Sequence, residues 1–321
     1  MPAPSSLAGR LSAFEKALSD TKLPAGHWEN RWEFLRSTDE LVLPEDILLA
    51  FFIPKASVLS PDVIASLKHV IGTKELTLAT DAWKLCDDPA EFARLQISAS
   101  PSHPHAQAAS LALLMIAFAI HEKKLTEKAV KAHKDSWIAV ADLCGRWRLR
   151  YVLEDVVFAF LEPEDYRLIT SVIKKRGKEY LTILDDAIAI VRHQCTVRGH
   201  KDIEIYARRK NIYGVYAKMR GDKKTLGQVR DIFGIRVLVK TAPECYAVLD
   251  IIQSLWPSYP EYYKDFIRHS KPNGYQSLHL TVSCLNKQDV EFQIRTFKMH
   301  DIAQFGIANH AHYKSSSRWE H

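Results

Sequence analysis

The sequence predicts an α+β chain, in which a helical N-terminal region is followed by a mixed β-sheet with flanking helices. Three observations predict it. Up to about residue 200 the apolar residues recur at helical spacings or in all-round apolar runs, beyond it they alternate with period two, and the two regions differ in charge. The 321 residues are 47% hydrophobic and 26% charged, with 12 Gly and 14 Pro, which excludes a disordered or collagen-like chain. That much apolar material builds a core without a disulfide or metal staple.

The N-terminal stretch MPAPSSLAGRLSAFEKALSD has no apolar segment behind a basic start, so no secretory signal is expected and a cytoplasmic protein is. Ser98 to His105 (SASPSHPH) predicts a loop. Ala106 to Ile120 (AQAASLALLMIAFAI), the longest apolar stretch, is shorter than the roughly 20 residues that span a bilayer and predicts a buried helix with no membrane role. Val152, Val156, Val157 and Phe160 recur at spacings of three and four, the stripe of an amphipathic helix. Glu162-Pro163-Glu164-Asp165 ends it and starts another, expected from Tyr166 to about Cys195.

Beyond Gly199 and the basic cluster Arg208-Arg209-Lys210, Ile235, Val237 and Val239 alternate with Arg236 and Leu238, which predicts a strand. Tyr246, Leu249, Ile252 and Trp256 place a helix over Cys245 to Trp256, packed on that strand. In Leu278 to Cys284 the apolar positions oppose His279, Thr281 and Ser283, and Val290, Phe292 and Ile294 oppose Glu291, Gln293 and Arg295. Two further strands follow from this, each with a core face and a chemically equipped face. Arg295 to Tyr313 predicts a closing helix. The expected organisation is a helical domain over 1–136, a helical linker over 137–198 and a sheet domain over 199–321.

Charge separates along the same line. Residues 201–321 carry 19 Lys and Arg against 12 Asp and Glu, while residues 1–200 carry 25 against 26. A basic excess confined to one region points to an anionic ligand such as a nucleotide or nucleic acid, although composition alone favours a solvated basic surface. The five cysteines are widely spaced and form no CxxC pair, which argues for reduced, buried thiols rather than a disulfide framework or zinc site. Lys271-Pro272-Asn273-Gly274-Tyr275-Gln276-Ser277-Leu278-His279 combines a Gly-permitted turn with groups suited to a phosphorylated nucleotide: Lys for phosphate, Tyr for stacking, amides for a base edge. Spacing alone also fits a plain loop.

Six blocks occur in one order: RRKNIYGVYAKM from Arg208, DIFGIRV from Asp231, YKDFI from Tyr263, KPNGYQSLH from Lys271, VEFQIRT from Val290 and MHDIAQFGIANHAHYK from Met299. Together they resemble the synthetase domain of RelA/SpoT homologues. Trp137 to Tyr166 more weakly resembles the helices that link that family's two catalytic domains. The resemblance implies a nucleotidyltransferase-like sheet domain that moves pyrophosphate from ATP to the 3′-hydroxyl of GDP or GTP, making the alarmone (p)ppGpp, with Mg²⁺ as cofactor. It implies Asp231 as a metal ligand and Glu291 as second ligand or as the group that activates the 3′-hydroxyl. Arg208, Lys210, Lys218 and Arg236 match positions that hold ATP. Lys264, Lys271, Asn273, Gln276 and His279 would hold the acceptor, and Tyr275 would stack on its guanine.

This chain departs from the family pattern in places. Lys210-Asn211-Ile212-Tyr213-Gly214 stands where Lys-His-Ile-Tyr-Ser is usual, removing an imidazole and a hydroxyl near the donor phosphates. Tyr262-Tyr263-Lys264-Asp265 replaces Arg-x-Lys-Asp, and Ala308 to Tyr313 replaces Ala-Ala-His-Trp. Long relatives carry a hydrolase domain with an HDxxED motif; here the one His-Asp pair is His300-Asp301, so the helical half is expected to be a degenerate, inactive hydrolase. His103, His105 and His121 are the alternative metal cluster, disfavoured because Glu122-Lys123-Lys124 supplies cations where ligands are needed. Two alternatives share the fold: a toxin-like enzyme acting on adenine nucleotides or tRNA, the one case with a nucleic-acid partner, and an inactive nucleotide-binding regulator. Retention of Asp231 and Glu291 argues against the last. The sequence leaves GDP against GTP and the oligomeric state open.

Overall fold

The structure, a computed structural model, describes Lys16 and residues 27–38, 41, 43–55, 59, 61–70, 73–88, 103–272 and 274–305. The chain divides into two units, Met1–Leu161 and Glu162–His321. The first contains α1 (His27–Ser37), α2 (Glu45–Phe51), α3 (Pro61–Val70), α4 (Thr73–Asp87), α5 (Pro104–His121), α6 (Glu127–Leu143) and α7 (Trp147–Leu161). As its all-round apolar composition requires, α5 is a core helix, buried at every position from Ala106 to Ile120 except Gln107 and Ala119, and it packs against α4 and α7. The buried stripe of α7 is Leu149, Val152, Leu153, Val157 and Phe158, one position round from the expected one, so that Val156 and Phe160 lie at its half-buried margin. Between α6 and α7 the buried Arg150 guanidinium lies 2.8 Å from Glu154 and 3.4 Å from Asp142.

His103 and His105 stand at the start of α5 and His121 at its end. At 1.5 Å per residue these ends are roughly 24 Å apart, too far to share an ion. Among the described residues no group of three or more His, Cys, Asp or Glu gathers as a metal site.

The boundary between the units falls within the expected linker: α6 and α7 go with the first, and α8 (Pro163–Val197) with the second. Pro163 opens α8 where a missing N–H is no loss, and Glu164 and Asp165 follow in its first turn, so the helix begins three residues before Tyr166.

Five strands form one mixed sheet: β1 (Glu204–Arg209), β2 (Phe233–Val239), β3 (Lys264–Asp265), β4 (Leu278–Ser283) and β5 (Asp289–Thr296), in the order β1-β2-β5-β4-β3. Only β2 and β5 run parallel. The helices of this unit are α8, α9 (Ile212–Gly221), α10 (Ala242–Leu255) and α11 (Phe297–Phe305). α10 starts in a capping box in which Thr241 and Glu244 satisfy each other's backbone N–H. It turns Cys245, Val248, Leu249 and Ile252 to the core, and Trp256 beyond it stacks on Phe292. α8 joins the same sheet face, with Tyr180 stacked on Phe233. The opposite face carries the polar side chains.

Two strands escaped the sequence pattern. β1 lacks a clean alternation because only Ile205 is fully buried, and β3 is two residues long. Ser283 ends β4, leaving Cys284 in the turn, and Arg295 belongs to β5 rather than to the closing helix, which is described as far as Phe305. β2 is buried on both faces over all seven residues, and Gln293 and Arg295 are buried as well. Burial of polar side chains on these central strands calls for partners within the protein or from a ligand.

Candidate active site

Strand register gathers the polar face into two rows. Arg208, Gly234, Glu291 and Thr281 lie side by side across β1, β2, β5 and β4, and next to them run Tyr206, Arg236, Gln293, His279 and Lys264. Residues more than 50 positions apart in sequence thereby become neighbours. Gly234 is what permits the closest approach: a Cβ there would meet the Glu291 carbonyl oxygen at 2.7 Å. Just upstream, the turn at Asp231 is tied to the end of β1 by the Lys210 N–H donating to the Ile232 carbonyl.

Asp231 is the negative centre of a cationic cluster. Lys210 Nζ lies 3.0 Å and Lys218 Nζ 2.7 Å from its Oδ2. Burial alone would raise this carboxyl's pKa, but the two ammonium groups override it and hold it well below the usual carboxylate range. Burial lowers the pKa of Lys210, opposed by Asp231 and assisted by repulsion from Arg208 and Lys218. Oδ1 of Asp231 is buried without a hydrogen-bond partner in the protein. An anionic oxygen with its lone pairs unused fits a hard cation such as Mg²⁺, which takes one or two carboxylates and fills its remaining positions with water and phosphate.

Glu291 is held differently. Its Oε1 is 3.1 Å from His279 Nδ1, and its Oε2 accepts from Gln293 Nε2 at 2.8 Å. Burial and the nearby Asp231 charge push its pKa up, while His279 and Arg208 pull it down, and the net displacement is downward. Both carboxyls are therefore charged near neutral pH.

Arg236 and Arg295 are buried on the same face, 8% and 2% exposed. Arg236 donates to Gln293 Oε1 at 3.1 Å and Arg295 to His300 Nδ1 at 2.8 Å, while Nε of each has no partner. Burial and the Arg236 charge lower the pKa of Arg295 to about 10. Two adjacent guanidiniums with unused donors suit an anionic ligand.

The residues expected to hold an acceptor are brought to one end of this face, though not all point at it. Gly274, at φ 77°, closes a loop in which the Lys271 N–H donates to the Tyr275 carbonyl, and Tyr275 stands beside His279. Lys271 Nζ sits 4.6 Å from the Phe266 ring centroid and 5.4 Å from that of Tyr275, and Lys264 is exposed on β3 opposite His279. Gln276 instead donates to the Ile267 carbonyl, which anchors the neighbouring loop. Asn273 lies outside the described residues. Asp265 accepts from Tyr246 Oη and from the N–H groups of Ile267 and Arg268, so it shapes the loop rather than the site. Gln293 and Arg295 were absent from the expected site residues; the alternation that exposed Glu291 already put both on its face. Arg208 is on β1, and Lys210 lies between β1 and α9.

The fold and site thus define an anion-receptive sheet face with two charged carboxylates at its centre. Residues 207–318 match the family model described as the region found in RelA / SpoT proteins, so the chain carries a RelA/SpoT domain there. The probable guanosine-3′,5′-bis(diphosphate) 3′-pyrophosphohydrolase of Synechocystis sp. is 37% identical over 183 residues, covering 57% of this chain and 24% of that protein. The GTP pyrophosphokinase of Myxococcus xanthus is 29% identical over 311 residues, covering 87% and 41%. Among solved structures, the small alarmone synthetase 1 from Bacillus subtilis bound to its product pppGpp is 21% identical with a TM-score of 0.37, covering 44% of this chain and 83% of that one. The chain spans about a quarter to two fifths of the length of the curated relatives it matches.

Proposed function

We propose that the sheet-bearing unit is a pyrophosphokinase that transfers the β,γ-pyrophosphoryl group of ATP to the 3′-hydroxyl of GDP or GTP. The observation that carries this reading is the pairing, on one sheet face, of Asp231 within a Lys210–Lys218 cluster and a separately held Glu291. Relatives named GTP pyrophosphokinase support it. Mg²⁺, held by Asp231 Oδ1 and Glu291, would neutralise the triphosphate when bound.

The residues divide the work as follows. Lys210, Lys218 and Arg208 hold the donor's phosphates and offset the charge that spreads over their oxygens in the transition state. Glu291 accepts the proton of the 3′-hydroxyl as its oxygen bonds to the β-phosphorus; the bridge from that phosphorus to the α-phosphate breaks and AMP leaves. A carboxylate has about four lone-pair positions, so Glu291 retains room for the hydroxyl beside His279 and Gln293. Tyr275 and Lys264 flank the acceptor. We further propose that the helical half has no hydrolase activity, since its sequence lacks the HDxxED motif.

The test is incubation with γ-³²P-ATP, Mg²⁺ and, separately, GDP, GTP, ATP or bulk tRNA, with Glu291→Gln as control. Label passing to GDP or GTP, and lost in the control, is the expected result. Transfer to ATP or tRNA alone would replace the acceptor, and no transfer at all would overturn the reading. Unlabelled ppGpp incubated with Mn²⁺ should remain intact.

A further inference from the structure

We propose that His279 is a positioning residue that orients the Glu291 carboxylate, and not a contact to the acceptor. Both of its ring nitrogens are already engaged: Nδ1 lies 3.1 Å from Glu291 Oε1, and Nε2 lies 2.8 Å from Tyr275 Oη. An ionised carboxylate only accepts, so Nδ1 carries the proton and Nε2 is left to accept from the tyrosine hydroxyl. The two partners thus select one tautomer. A ligand reaching either nitrogen would have to break one of these bonds.

The ring is also held from its sides. Phe266 packs against it edge-to-face at 5.4 Å and 89°, and Tyr275 at 5.9 Å and 68°. On the sheet His279 sits opposite Gln293, which places it diagonally from Glu291, within reach of a long side chain. Gln293 supplies the second bond to the carboxylate, and Arg236 donates to its Oε1, which fixes the orientation of the amide. A hydrogen-bonded chain therefore runs Tyr275–His279–Glu291–Gln293–Arg236 across β4, β5 and β2. Each member of it has its rotamer or tautomer set by the next, and Glu291 at the centre receives one donor on each oxygen. A buried carboxylate needs those donors to stay charged. The geometry is that of a base held by an orienting imidazole, which is in turn oriented by a third group.

The kinetic consequence rests on the pyrophosphoryl-transfer reading. A residue that acts through Glu291 changes turnover, whereas one that holds the acceptor changes its KM. His279→Ala is expected to lower kcat about 10- to 100-fold while the acceptor's KM stays within about twofold, since misplacing a reacting group by about 1 Å costs up to that much. His279→Asn, whose amide N–H can replace Nδ1–H, is expected to recover most of the loss. An acceptor KM raised tenfold or more, or an asparagine variant no better than alanine, would overturn the proposal. A second arm does not depend on activity: ¹⁵N NMR of histidine-labelled protein at pH 8, with the His279 signal assigned by its absence from His279→Asn. A proton on Nδ1 is the expected result, and a bare Nδ1 would sink the positioning role even if every kinetic outcome agreed. If the wild-type protein transfers pyrophosphate to no acceptor, the functional reading fails, and this NMR arm still decides the geometry.

Discussion

Gly234→Ala tests whether the close approach of β2 to β5 sets the position of Glu291. The added Cβ would sit 2.7 Å from the Glu291 carbonyl oxygen, about 0.7 Å inside ordinary van der Waals contact. That atom is backbone in a central strand paired on both sides, so it cannot swing away as a side-chain tip would. Overpacking of this kind costs about 1–3 kcal/mol, and part of it will appear as a local separation of the two strands. A shift of even half that overlap moves the Glu291 carboxylate relative to Asp231 and its cations, and displacements near 1 Å cost up to about 100-fold in rate. The expected result is a melting temperature lowered by several degrees and a kcat lowered about 10- to 100-fold, read by thermal denaturation and by the pyrophosphoryl-transfer assay. Gly177→Ala is the control, because its Cβ would meet Phe233 at an ordinary 3.6 Å. Wild-type stability and turnover in Gly234→Ala would refute the argument that this contact places the base.

Three other outcomes follow from the packing. Arg150→Met removes the guanidinium between two buried carboxylates, Asp142 and Glu154, and should destabilise the first unit by about 3–5 kcal/mol in urea unfolding. Burial opposes ionisation of Asp265, yet the N–H groups of Arg268 and Ile267 and the Tyr246 hydroxyl hold its carboxyl below the usual range. A carboxyl whose pKa is lowered by folding contributes stability above its unfolded value that is lost as pH falls through its folded one. Acidification below about pH 4 should therefore loosen the 265–268 loop by hydrogen exchange, and Tyr246→Phe should move that loss to higher pH. Burial pushes the thiols of Cys86, Cys144 and Cys245 up to about 12. At pH 8 these three should resist a disulfide reagent in the native protein and react once it is unfolded, as followed by absorbance.

The fold was legible where one physical requirement acted alone. The run around Leu113 had no polar side and could only be core, and the Glu162-Pro163 break is a local signal that needs no tertiary partner. The strands β4 and β5 showed themselves by period two. β1 did not, because Tyr206, Ala207 and Arg208 are only half-buried, and at the sheet edge alternation no longer decides burial. For the site, the residue types and one face were legible, while their partners were not. Nothing local says that Gln276 turns away to Ile267, that Asp265 shapes a loop, or that His279 spends both nitrogens on Tyr275 and Glu291. Those assignments depend on strand register, which a sequence specifies only through contacts between distant residues.

Register also leads to a conflict at the donor side that can be tested. Lys210 and Lys218 both face Asp231 Oδ2, so each spends one of its three N–H donors and part of its charge on that carboxylate before a phosphate arrives. Asp231 thus offsets part of the positive charge of Lys210, Lys218 and Arg208, and an incoming triphosphate has to share the two ammonium groups with it. Asp231→Asn keeps the shape and removes the competitor, leaving Lys210, Lys218 and Arg208 with a stronger positive field. Each charge-assisted bond of this type is worth about 1.5–3 kcal/mol, and 1.4 kcal/mol is a factor of ten in affinity. ATP binding measured calorimetrically in EDTA should therefore tighten about tenfold in the variant, while turnover with Mg²⁺ falls by about 100-fold or more. Affinity that is unchanged or weaker in EDTA would mean that the lysines serve Asp231 alone, and the donor phosphates would then have to be assigned to the buried pair Arg236 and Arg295.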